Sequence, residues 1–591
     1  MKRLLSLFSL LFLLVLPSVF AQNIAQYITG TKGDTLVVKD ETDYGKPDAI
    51  TLLMGADTLN VPAGRVYQLH KNGYYSVGGT RPTSSSKVKA IVAGDNNALI
   101  KNSQSDAIPI LTGEVYEGTS TKGGINSGLD LLVKNVNCNS GNSTANQGDW
   151  TFFGINPVGG KLTLDNCLVE HNIWCEIQPQ QMQRIFFKNC YFVNLSGHTC
   201  RRNGGCIDFN STATVMDTMW VENCTHVMTQ GSLYKFRDGY AVNKTVFNHN
   251  DFVNCVGFVF MDRGTVTNIS VTNNIFVNCN IQGYSPVLTN NDAGEVDPGK
   301  LAMGLVNVCP DSAAFKAAGG GHFYVDKNLV YWDPKLTAVI PSALNTAKIN
   351  GVTNWVSQMI TMNARTQAAF DNNSAYPFLV EGGTWFKQLP TFAKTASLFT
   401  TQIDNIIAYV KVCVDTTNTG ALPYWREVFD SANNFSYSDW PIPINLSYTD
   451  ATLLTGGLNK FPVGDLNWFP TQYKTWLAQA STEYTQIAKV LSTGTSVKKL
   501  DGLPTSYSLS QNYPNPFNPT TNIKYSITKE SQVSLKVFDI IGREVETLVN
   551  LNQKTGSYEV NFNASKLASG VYIYRLQAGD FTQSMKMMLI K

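Results

Sequence analysis

Charge is what this sequence has least of. Only 15% of its 591 residues are Asp, Glu, Lys or Arg, against about 25% in ordinary soluble proteins. The 46 basic and 44 acidic residues nearly cancel, to a formal +2, so no net field draws in nucleic acid or an anionic membrane surface. None of the 11 cysteines forms a CxxC pair, which removes the commonest zinc spacing. No P-loop and no strand-linked GxGxxG occurs, so nucleotide chemistry is not indicated. Beyond residues 4–16 no apolar run approaches a bilayer span, and no transmembrane segment is expected. What is present is 43% hydrophobic and 11% aromatic residues, which excludes wholesale disorder. Asn, Thr, Ser and 46 Gly take the place of the missing charges. The length predicts several domains or one long repetitive architecture.

Residues 1–21 combine Lys2 and Arg3, an apolar stretch from Leu4 to Leu16, a breaker at Pro17, and the small residues Ser18 and Ala21. This is the layout of a cleavable export signal.

Between residues 130 and 335 one pattern returns: an extended run, Asn, often Cys, then an apolar pair. It centres on Asn135, Asn166, Asn189, Asn223, Asn250, Asn274 and Asn328, at intervals of 31, 23, 34, 27 and 24 up to Asn274. Such periods mark a solenoid. Two short strands hinged at Asn suit a right-handed parallel β-helix, because Asn tolerates the left-handed backbone at the bend and can bond to the next coil. Cys167, Cys190 and Cys224 should then stack, as should Cys255 and Cys279, as small buried hydrophobes. In an exported protein Cys200 and Cys206 form a candidate disulfide. The β-helix is expected over residues 22–335, and with GRVYQLHKNGYYSV (Gly64 to Val77) it resembles, over roughly residues 30–335, the pectate-lyase-like β-helix superfamily in architecture and repeat grammar, with no diagnostic catalytic motif.

Residues 336–492 lose the period. Helical spacing at 401–412 and 472–491 predicts amphipathic helices, in a mixed extension that packs on the coil or caps it. Its block GGLNKFPVGDLNWFP (Gly456 to Pro470) resembles a stretch of exported β-helix proteins. A linker is expected at 493–506. From Leu503, Pro504, Pro514, Pro516 and Pro519 forbid helix, and alternating strands punctuated by turns predict a small β-sandwich. NYPNPFNPTT (Asn512 to Thr521), VFDIIGREV (Val537 to Val545), SGVYIYRL (Ser569 to Leu576) and KMMLIK make residues 507–591 resemble the C-terminal sorting domain of the bacterial type IX secretion system. That resemblance implies an immunoglobulin-like sandwich, the secretion machinery as a partner, and delivery through the periplasm to the outer-membrane surface or beyond.

In polysaccharide-active β-helices the substrate lies along the outer face of one sheet. CIDFN, LYKFRD and VFMDR align as successive rungs, and alternation then places Asp208, Asn210, Lys235, Arg237, Phe260 and Asp262 outward. Glu176 lies one coil earlier, and Arg201 and Arg202 sit on a loop beside them. The chemistry expected is β-elimination from an acidic polysaccharide. Lys235 or Arg237 would abstract the proton, Ca²⁺ on Asp208 and Asp262 would stabilise the enolate, and Arg201, Arg202, Asn210 and Glu176 would bind substrate. A hydrolase using Asp208 and Asp262 fits less well. The competing class is a non-catalytic surface protein or adhesin, whose charges keep the sheet solvated.

Overall fold

The computed structural model describes most of residues 24–590. Residues 1–23, 78–89, 95–107, 113–124, 140–150, 196–204, 210–215, 237–241, 263–265, 283–300, 347–356, 414–441 and several shorter stretches lie outside the described residues. The described chain is mainly β, built on long parallel sheets. A twelve-stranded sheet (the long sheet), a nine-stranded sheet (the second) and a six-stranded sheet (the third) account for residues 28–381.

From Leu131 onward the strands visit these sheets in rotation. Leu131–Lys134, Asn137–Asn139 and Thr151–Ile155 fall in the long, second and third sheets, and the next three strands repeat the order. Rotation continues through Ile275–Val277, each strand pairing in parallel with the equivalent strand of the preceding round. Alternation decides the faces: Arg184–Lys188 reads half-buried, buried, half-buried along its length. Its buried members Ile185 and Phe187 join one core with Val169 and Phe192 of the second sheet and Ile177 and Ile207 of the third. Along the second sheet's inner face, Phe192, His226, Phe252 and Phe276 stack ring on ring at 4.6, 4.4 and 5.1 Å. One ring per rung repeats the same favourable contact along the coil.

The turns between the long and second sheets carry two adjacent columns. Asn135, Asn166, Asn189, Asn223, His249, Asn273 and Lys327 all take positive φ, between 53° and 60°, the conformation that Asn tolerates best among non-glycine residues. One residue later, Asn250 donates to the Asn274 side chain at 2.9 Å, and Asn274 to that of Asn328 at 3.0 Å. Earlier rungs fill this second column with cysteine, the Cys190 N–H facing Cys224 Sγ at 3.4 Å. The expected single Asn hinge is therefore corrected to two columns, with Asn250, Asn274 and Asn328 bonding in the one and not bending in the other. Sulfur gives way to amide along this row, and both groups are compact and meet backbone carbonyls of the neighbouring rung.

Residues 457–493 pack on the outward faces of this array. Trp468 and Phe469 share a cluster with Tyr191, Val227 and Ile275 of the second sheet. Ile487, Val490 and Leu491, from the helix Ala480–Thr493, cover Val246 and Tyr324 of the long sheet. The C-terminal residues form two four-stranded antiparallel sheets, whose inward side chains Ile523, Leu535, Val560, Tyr574 and Leu576 pack in one cluster. Val497–Leu500 pairs with Gly556–Asn563 and joins the first of these sheets.

Candidate functional site

On the third sheet, Asp208 stands in register with Lys235, and Lys235 with Met261. Asp262 is the register partner of Phe236, while Phe260 faces Tyr234. The expected outward row of Phe260 and Asp262 is thus displaced by one residue. In Val259 to Met261 every side chain is apolar, so alternation carries no information about face. Phe260 goes inward because it meets the rings of Phe247 at 4.2 Å, Phe252 at 5.9 Å and Phe276 at 6.0 Å.

Lys235 is 1% exposed and Asp262 6%. Met261 packs with Phe258 and Met303, so chain covers this part of the sheet's outward face. The Asp262 carboxylate accepts from the Val266 N–H at 3.3 Å and its carbonyl from Asn307 at 2.9 Å. Asp208 is half-buried. Glu176 lies on the strand Cys175–Ile177, its side chain outside the described residues, as are Arg201, Arg202, Asn210, Arg237 and Cys200. Of the residues expected to form one patch, the structure brings Asp208 and Lys235 to neighbouring rungs and sets Asp262 on the opposite parity. Among the described residues, the group whose ligand atoms come close enough for a metal ion is elsewhere, at Asp40, Asp43 and His70.

A denser polar constellation lies where the 457–493 segment meets the two-column turn. The backbone of this strap is read by side chains of the coil. The Leu458 N–H donates to Asn273 Oδ1 at 2.7 Å, and the Asp465 N–H to Asp251 Oδ1 at 3.1 Å. Its side chains answer: Asp465 accepts from Thr225 at 2.8 Å, Trp468 Nε1 donates to Thr225 Oγ1 at 3.0 Å, and Tyr473 donates to Asn189 at 2.9 Å. At the centre, His249 Nε2 and Glu483 Oε1 lie 3.1 Å apart, with 0% and 1% of each side chain exposed. Asn248 donates to both Glu483 and Glu222, and Tyr484 donates to Glu222 at 2.6 Å.

Burial pushes the Glu222 carboxyl up. Burial acts on Glu483 in the same direction, but His249 and the amide and indole donors around it outweigh that and hold it below the usual carboxylate range. A sealed cluster of this kind binds two parts of one chain together and offers no group to an external polymer. The sequence block Gly456 to Pro470 is the visible sign of it; its partners in the coil are not visible as such in the sequence.

The C-terminal unit opens on a different kind of order. The Asn512 N–H donates to the Tyr574 hydroxyl at 2.8 Å, and its side chain donates to Thr521 Oγ1 at 2.9 Å, pinning the proline-rich lead-in to the sheets. Residues 511–591 match the family of secretion system C-terminal sorting domains. The protein therefore carries a type IX sorting domain and is exported by that route to the cell surface or the extracellular space. The sorting domain also implies an encounter with the type IX secretion machinery. No helix among the described residues is long and apolar enough to cross a membrane.

No curated protein matches the chain. One solved structure with a match is PorZ of Porphyromonas gingivalis, described as an essential bacterial surface component of the type IX secretion system. The two are 22% identical over 15% of this chain and 12% of that one, with a TM-score of 0.11. So short a likeness carries no argument about the coil.

Proposed function

We propose that this protein is a type IX cargo in which a right-handed parallel β-helix, followed by an immunoglobulin-like sorting sandwich, acts as a rigid, non-catalytic surface module. The rotation of successive strands through three parallel sheets around one core supports the β-helix. The observation that carries the functional reading is the 1% exposure of Lys235. A general base for β-elimination must meet a polymer lying on the sheet, and this ammonium is covered. The alternative of a Ca²⁺-assisted lyase would need Asp208 and Asp262 on one face, and they occupy opposite parities of their strands.

The test is incubation of the exported protein with pectate, alginate and glycosaminoglycans, with and without Ca²⁺, followed by absorbance of new double bonds. No product is expected. Unsaturated products overturn the reading, and their loss in Lys235→Ala, with the variant's fold intact, would assign the base to Lys235.

A further inference from the structure

The first parallel pair of the long sheet brings two separate turns together. Thr35–Val38 and Val66–Leu69 run side by side, Thr35 opposite Val66 and Val37 opposite Gln68. Both strands leave the sheet at the same end, so the residues just past them, Asp40 and His70, arrive at one place. Asp40 caps the short helix Glu41–Tyr44, its Oδ1 accepting from the Asp43 N–H at 2.9 Å. The cap holds Asp43 beside Asp40 while the Glu41 carboxylate accepts from the Ser76 hydroxyl. His70 Nε2 lies 3.4 Å from Asp40 Oδ2 and 3.9 Å from Asp43 Oδ2. The ligand atoms of all three residues lie within 4.8 Å of one another.

His70 is fixed from behind. Its backbone N–H donates to the Tyr75 hydroxyl at 3.0 Å, and that hydroxyl donates to the Val38 carbonyl at 3.3 Å. The imidazole packs edge to face with the buried Tyr75 ring, centroids 5.8 Å apart. Gly73 makes room for that ring, since a Cβ there would stand 2.6 Å from it. His70 Nδ1 is 3.0 Å from the Lys71 carbonyl. A carbonyl only accepts, so Nδ1 carries the hydrogen and Nε2 is the nitrogen turned to the two carboxylates. This is how metal-binding histidines are oriented, one nitrogen on a backbone carbonyl and the other on the ion.

Distance separates a metal site from an ordinary ion pair. An imidazolium bonded to a carboxylate stands about 2.7–2.9 Å from it, and both separations here are longer. Ligands about 2.0–2.1 Å from a tetrahedral ion stand about 3.3–3.4 Å from each other, which is the His70 to Asp40 spacing. The exposed Asp43 side chain can rotate to close the rest.

We infer that Asp40, Asp43 and His70 bind a divalent transition-metal ion of the Zn²⁺ type, which clasps the N-terminal turn to the first rung of the coil. Two carboxylates cancel the charge of the ion, and imidazole nitrogen selects Zn²⁺ over Ca²⁺, which takes six to eight oxygen ligands. Asp43 is exposed and His70 half-buried, so the ion can enter from solvent and keep water in its fourth position. The inference adds a ligand to the exported module and does not depend on whether that module is catalytic.

The experiment is equilibrium dialysis of the exported protein, prepared without an affinity tag, against Zn²⁺, Ca²⁺ and Mg²⁺ in turn. One equivalent of Zn²⁺ is expected at this site, with Ca²⁺ and Mg²⁺ bound more weakly. His70→Gln and Asp43→Asn should each weaken Zn²⁺ binding by more than about tenfold, the loss that changes behind a ligand alone produce. Saturating Zn²⁺ should raise the thermal midpoint of the protein and not that of either variant, because the ion binds only the folded site. Co²⁺ bound in place of Zn²⁺ should give visible absorption that both variants lose. Circular dichroism of each variant separates a lost ligand from a lost fold, and Asp43→Asn, at an exposed position, carries the test alone should His70→Gln unfold. No Zn²⁺ binding, Zn²⁺ binding unchanged in a folded variant, or tighter binding of Ca²⁺ than of Zn²⁺ overturns the proposal.

Discussion

His249 and Glu483 meet at 3.1 Å with neither side chain in contact with water. One belongs to a turn of the coil and the other to a helix of the extension, so the pair ties together segments distant in sequence. Removing one member leaves the other's polar group buried without its partner, which typically costs about 3–5 kcal/mol. Glu483→Ala should lower stability by that order in chemical unfolding. The double change His249→Phe, Glu483→Leu should recover part of the loss, because an apolar pair needs no solvation.

The same pair sets an acid limit. The Glu483 carboxyl is held below its ordinary value in the folded protein, so its contribution is present above the unfolded-state pKa. It is lost as pH falls through the folded value. Acid unfolding monitored by tryptophan fluorescence should therefore shift to lower pH in Glu483→Gln, once its constant loss of stability is subtracted.

Asp326 works in the opposite direction. It is buried, accepts from the Tyr324 hydroxyl at 3.2 Å, and is pushed up to about 6 by desolvation. A folded-state acid of raised pKa binds its proton more tightly than the unfolded chain does. Its contribution to stability falls as pH rises from the ordinary carboxylate value to about 6, and is level above that. Asp326→Asn should flatten this slope, an effect of about 2–3 kcal/mol across the window, read from urea midpoints at successive pH values.

Asn274 illustrates the cost of interrupting a column. Its side chain donates to the Phe247 carbonyl and to Asn328, and accepts from Asn250. Asn274→Ala strands these groups in a dry turn, at about 1–3 kcal/mol for each one left unsatisfied. A fall in the urea midpoint without a change in slope is the expected result.

Trp468→Ala removes the bond to Thr225 and the edge contact with Tyr191 at 5.9 Å. A loss of about 3–5 kcal/mol is expected for so large a buried side chain. Limited proteolysis should then cut first within residues 457–469, detected by mass spectrometry.

The parts of this architecture that repeat are the parts legible in the sequence. Asn166, Asn189 and Asn223 announce their turns because few residues accept that backbone, and Pro514, Pro516 and Pro519 announce the lead-in of the C-terminal unit because they exclude helix. The face of a strand is legible where polar and apolar residues alternate, as in Arg184–Lys188, and illegible in Val259 to Met261, where they do not. The outward row Lys161, Arg184, Thr218, Lys244 is hidden for another reason: its members come from separate rungs with loops of unequal length, and only register aligns them. His249 can be seen as one of a few histidines, but its partner is more than 200 residues away, and no local pattern reports such a distance.

That distance has a meaning in time. Thr225 and Asp465 are 240 positions apart, so when the ribosome has finished the coil, the residues that seal its turn row do not yet exist. The seal can close only after the extension has been made, and the sorting domain is the next thing to emerge. A chain that stops early lacks both its clasp and its passport, and a chain that carries the passport has already been given everything needed to shut.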